Sequence, residues 1–157
     1  MKILNKQFTP LEFEKISKEY NNNKPFPNIL IRDLFSEDVL NSTVEAIDKF
    51  NNVKDKVWYK LCTQGSDFTA FGELTQKLMD FLISEEGVSL VSNITGIKGL
   101  VSDPNWEGAG INFEPRGSHL ELHTDFNRKS LGNLGWRRVN LLLFLSKNWK
   151  TEWGGQN

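Results

Sequence analysis

The stretch from Gly117 to Asn127 constrains this chain most, because polar and apolar side chains alternate through His119, Leu120, Glu121, Leu122 and His123 and continue to Asp125. An alternation of period two predicts a strand. Alternate residues of a strand share a face about 7 Å apart, so His123 and Asp125 are expected to converge on one ion, with Leu120, Leu122 and Phe126 facing away. A His and a carboxylate two residues apart, completed by a second His from elsewhere, make the facial triad that leaves positions open on Fe(II). Two other readings stand beside this one. A solvated surface strand shows the same alternation, and His119 with His123 matches the i, i+4 spacing of a zinc pair. The zinc pair needs a helix, however, and no Glu directly follows His119.

A chain of 157 residues with 38% hydrophobic content is long enough to bury one core, so residues 1–157 are expected to form a single domain. The formal net charge is −1, with Lys and Arg dispersed among Asp and Glu, which predicts no face for a nucleic-acid backbone. The first residues lack the apolar run of a secretory leader, and no stretch approaches the ~18 apolar residues of a membrane span. A cytoplasmic protein with no membrane partner is the expectation, and the lone Cys62 is given no catalytic role.

Thr9 with Glu12 reads as a capping box, and Pro10 at the first helical position starts a helix that runs to the Asn21–Asn23 breaker. Residues 27–32 suggest a short strand, and Ser36 with Glu37 and Asp38 is expected to cap a second helix through Phe50. Residues 57–63 are strand-like, whereas 71–82 and 84–95 have helical spacing, the latter ending at Gly96. From Ile97 the character changes. Residues 97–102, 109–114, 119–124 and 138–146 are strand candidates separated by Gly, Pro and Asn. Helices followed by strands predict an α+β fold, with residues 1–96 as helix-rich support and 97–157 as the start of a sandwich or jelly roll. In the run from Arg138 to Leu145, Arg138, Asn140, Leu142 and Phe144 share one face and are expected to line a pocket or fill the core.

Several pieces recur in order: Phe26-Pro27-Asn28, Ile97 to Pro104, Glu107 to Gly110, Pro115-Arg116-Gly117, His123 to Asn127, Arg137 to Leu145, and Trp149 with Glu152 to Gly155. Together they resemble the prolyl 4-hydroxylase-like branch of the Fe(II) and 2-oxoglutarate-dependent dioxygenases, most specifically from Ile97 onward. The resemblance implies a double-stranded β-helix (jelly roll) with buttressing amino-terminal helices, and His123 and Asp125 as catalytic metal ligands. It implies that Fe(II) and 2-oxoglutarate, with ascorbate as an accessory, are the cofactors. Dioxygen would decarboxylate 2-oxoglutarate to succinate while a hydroxyl is delivered to an unactivated C–H bond of a peptidyl or small-molecule substrate. Asn112, Asn140 and Phe144 fall at positions from which relatives contact the cosubstrate. Phe144 stands where many relatives carry a Tyr that hydrogen-bonds its far carboxylate, a bond Phe does not make.

The family pattern places a second ligand His and a basic residue after the Trp-Gly-Gly segment, and this sequence has no His beyond His123. Along a strand His119 lies about 13 Å from His123, against about 4 Å at most between donors on one ion, so it is expected to line the pocket or the surface. The sequence is therefore expected to be the amino-terminal part of a longer reading frame, its carboxy-terminal strands missing. Alone it is expected to bind Fe(II) weakly and turn over little 2-oxoglutarate. The competing reading is a non-catalytic module of dioxygenase or cupin-like fold that binds a sugar, peptide or protein. Trp106, Trp136, Trp149 and Trp153 are candidates for stacking on a substrate or for ordinary packing, and Arg128 and Lys129 for a loop at the pocket mouth.

Overall fold

The computed structural model describes residues 2–51, 59–61, 68–106, 110–113, 121, 123–125 and 135–154; the side chains at 50–51, 59–61 and 112–113 lie outside the description. Thr9 begins the first helix, α1 (Pro10–Asn22), with a complete capping box. Its N–H donates to Glu12 Oε2 at 2.7 Å, and Glu12 N–H donates back to Thr9 Oγ1 at 3.3 Å. Those bonds from the Thr9 backbone and then its hydroxyl hold the Glu12 carboxyl below the ordinary glutamate range. The second helix, α2 (Glu37–Asn51), starts with Glu37 and Asp38, whose charges suit a helix N-terminus. The Ser36 hydroxyl, expected to cap it, is buried and has no hydrogen-bond partner among the described residues.

The third and fourth helices, α3 (Glu73–Ile83) and α4 (Glu85–Thr95), are separated by Ser84 alone. Its hydroxyl donates to the Phe81 carbonyl at 2.7 Å and accepts from Gly87 N–H at 3.1 Å, so one side chain closes α3 and opens α4. Gly96 ends α4 in the left-handed region at φ 74°, as a glycine C-cap does. Contacts run α1 to α4, α4 to α3, and α3 to α2, which makes the helices one continuous layer.

Two apolar clusters hold that layer. One contains Phe35, Val39, Leu78, Phe81, Leu90 and Ile94, and the other Ile47, Phe68, Phe71, Met79 and Ile111. Leu82 packs against both. Between α2 and α3 the buried Thr75 hydroxyl donates to the Phe71 carbonyl at 2.7 Å and is hydrogen-bonded with the Thr43 hydroxyl at 3.2 Å. Thr75→Val keeps the shape but strands the Thr43 hydroxyl in the core. It is expected to lower stability by about 1–3 kcal/mol, read from the midpoint of chemical unfolding.

The strand content departs from the sequence reading. Strand pairing among the described residues includes one antiparallel ladder of β1 (Tyr59–Leu61) with β2 (Ile111–Phe113), in the register Tyr59 with Phe113, Lys60 with Asn112 and Leu61 with Ile111, and a bridge between Leu4 and Phe35; Trp136 also carries a bridge assignment. The described fold is helical, and no double-stranded β-helix is present in it, which overturns the α+β jelly-roll expectation. Residues 27–32, 97–102 and 138–146 carry no strand assignment. Extended, β-favouring sequence becomes a strand only when a neighbour takes its N–H and C=O groups. The run 138–146 instead lies across the helices, with Leu143 against the first cluster and Leu145 against the second. Among the described residues no helix is long and apolar enough to cross a membrane.

Candidate functional site

Residues 123–125 carry no strand assignment, and the side chains of His123 and Asp125 lie close together. His123 Nε2 and Asp125 Oδ1 are 3.6 Å apart, with side chains about half exposed, at 51% and 48%. That separation lies inside the ~4 Å maximum for two donors bound at about 2 Å to one ion. The other ring nitrogen has a backbone partner. His123 Nδ1 is 2.8 Å from the Glu121 carbonyl, which only accepts, so Nδ1 donates there and Nε2 is the ring nitrogen turned toward Asp125. A backbone carbonyl behind the imidazole is the usual outer partner of a metal-binding His.

A ring nitrogen and a carboxylate oxygen 3.6 Å apart are compatible with a cation held between them or with a proton on the ring. A divalent cation satisfies both. A proton on Nε2 is the other way to reconcile them, but 3.6 Å is too long for a hydrogen bond, and an exposed ion pair of that kind contributes little. The pair supplies two donors of the kinds that hold divalent transition metals, one imidazole nitrogen and one carboxylate oxygen. Among the described residues no cluster of three or more His, Cys, Asp or Glu is arranged to hold a metal, and His119 lies outside them.

The sequence reading missed Arg137. Its Nη1 lies 3.3 Å from Asp125 Oδ2, and its Nη2 donates to Asn140 Oδ1 at 3.3 Å. Arg138, Asn140, Leu142 and Phe144, expected to line a pocket or fill the core, are exposed, whereas Arg137, Val139, Leu143 and Leu145 are partly buried.

Of the three residues assigned to the cosubstrate, Asn140 is brought within one side chain of Asp125, through Arg137. Phe144 goes elsewhere. It is 62% exposed and lines an open cleft of about 490 Å³ with Glu37, Leu40, Asn41 and Val44 of α2 and residues 145–148. Neither His123 nor Asp125 lines that cleft. Asn112 pairs with Lys60 through the backbone of β2, and its side chain lies outside the description.

The tryptophans divide by role. Trp106 packs edge-on against Phe68 with ring centroids 5.3 Å apart, as part of the second cluster. Trp149 Nε1 donates to the Gly154 carbonyl at 3.0 Å, and Lys150 Nζ sits 5.9 Å from the Trp153 ring. Trp136 is exposed. Arg128 and Lys129 lie outside the described residues. Comparison with protein-family models, with curated proteins and with solved structures found no match to this chain.

Proposed function

We propose that the protein belongs functionally with the Fe(II) and 2-oxoglutarate-dependent dioxygenases, with His123 and Asp125 as two of its iron donors. The observation that carries the reading is the convergence of His123 Nε2 and Asp125 Oδ1 at 3.6 Å, with Nδ1 tied back to the Glu121 carbonyl. It does not rest on a barrel. The ordered motifs from Ile97 to Gly155 support the same reading. Fe(II) bound here, with 2-oxoglutarate and dioxygen, would supply hydroxylation of an unactivated C–H bond of a peptidyl or small-molecule substrate, coupled to release of succinate and carbon dioxide. The chain's own residues hold the metal and orient it. Tying Nδ1 to a carbonyl keeps the imidazole from rotating, and leaving Oδ1 toward His123 keeps both donors on one side.

The test is anaerobic titration of the chain with Fe(II) and 2-oxoglutarate, followed by the visible charge-transfer absorption that a chelated keto acid gives. Binding is expected to be weak in the unaltered chain, with the band appearing only at high Fe(II) and 2-oxoglutarate, and to weaken further, by about tenfold or more, in H123A or D125A. Equal binding in both variants contradicts the proposal. A second reading, a non-catalytic binding module, is favoured by Phe144 lining the α2 cleft instead of the donor pair. It predicts no charge-transfer band in the unaltered chain, H123A or D125A, and binding of a sugar, peptide or protein that needs no metal.

A further inference from the structure

The two oxygens of Asp125 have different neighbours. Oδ1 faces His123 Nε2 at 3.6 Å, and Oδ2 faces Arg137 Nη1 at 3.3 Å. Arg137 is the more sheltered of the pair, its side chain 25% exposed against 48% for Asp125, and its second arm is held by Asn140. A planar fork with one arm fixed aims the other in a set direction, which a flexible ammonium does not do. We infer that Arg137 is a positioning residue for the metal site, engaging Oδ2 so that Asp125 is presented through Oδ1 alone as a one-oxygen donor. This rests on reading His123 and Asp125 as metal donors.

Two effects of Arg137 oppose each other, and their balance sets the sign of the test. A guanidinium near a divalent ion repels it, so if the field alone mattered, neutralising Arg137 would tighten metal binding. A carboxylate released from its fork loses its orientation and swings between one- and two-oxygen donation, which weakens binding. Outer partners of metal ligands are worth about 10- to 100-fold in affinity. The repulsion is the smaller effect here, because the carboxylate already offsets the guanidinium charge and solvent reaches a half-exposed site.

The experiment titrates the full chain with Co(II) alone, followed by visible absorption, in the unaltered protein, R137Q, R137K, N140A and H123A. R137Q is expected to bind Co(II) about tenfold more weakly, with a fainter band as Asp125 adds its second oxygen. R137K keeps the charge without the fork and is expected to stay weakened, and N140A to weaken binding by a smaller factor. R137K carries the test if R137Q loses its helical circular dichroism. Binding by R137Q and R137K that is equal or tighter, with an unchanged band, overturns the positioning role and leaves the metal reading standing. Co(II) binding in the unaltered chain that H123A does not weaken overturns both.

Discussion

Gly87→Ala is expected to destabilise the protein by about 2–3 kcal/mol, the opposite sign from most glycine-to-alanine changes inside a helix. Alanine would ordinarily gain up to ~1 kcal/mol by reducing the freedom of the unfolded chain. Gly87 occupies the first turn of α4, just after Ser84 has joined α3 to it with no intervening loop. A Cβ built there would lie 2.2 Å from the Phe81 carbonyl oxygen and 3.1 Å from that of Leu82. Both are backbone atoms, so neither moves without moving the end of α3. The same Phe81 carbonyl accepts from the Ser84 hydroxyl, so the shift would also break the cap shared by the two helices. Chemical unfolding of G87A checks this, and G87S, which adds the same Cβ, should lose at least as much. An unchanged or raised midpoint for G87A would show that α3 and α4 do not meet as described.

Phe68→Ala is expected to cost about 3–5 kcal/mol, the range for a buried Phe truncated in a core that does not collapse around the cavity. Phe68 is fully buried in the cluster that contains Ile47, Phe71, Met79 and Ile111, with Trp106 edge-on at 5.3 Å. Its backbone N–H also donates to Gln76 Oε1 at 2.6 Å, anchoring the start of the 3₁₀ turn Thr69–Phe71 to α3. The ring joins α2, α3 and β2 through one contact surface, so little is free to fill the space it leaves. Loss of near-ultraviolet circular dichroism, with far-ultraviolet signal retained below the transition, is expected because Trp106 loses its asymmetric partner. Phe68→Leu, which keeps most of the volume, should recover more than half of the loss.

What was legible in the sequence follows from how local each signal is. α1, α3 and α4 were readable to within a residue or two, because Thr9 with Glu12, Ser84 and Gly96 act within one helical turn of themselves. Ser36 marked the start of α2 correctly, although the packing that buries its hydroxyl separates it from the helix N–H groups it was expected to cap. The sheet was not legible, because pairing is decided by distant chain. Residues 138–146 have β-favouring sequence throughout, yet the described contacts of Leu143 and Leu145 are with helical clusters. The sequence reading placed His123 and Asp125 on one face of a strand; the described segment 123–125 carries no strand assignment, and their side chains are 3.6 Å apart. Arg137 was not foreseen because its parity is set by which face of the 137–145 run packs down. That is a tertiary fact.

The central claim is that His123 and Asp125 turn toward one cation, and sub-stoichiometric Mn(II) added to labelled protein tests it most directly, since a bound paramagnetic ion broadens the nuclear resonances nearest to it. The account predicts that the His123 ring and the Asp125 side chain broaden first and together, and that either alanine variant abolishes the effect at the surviving partner. Broadening spread over exposed carboxylates such as Glu14, Glu73 and Glu152, with the His123 ring left sharp, would contradict it.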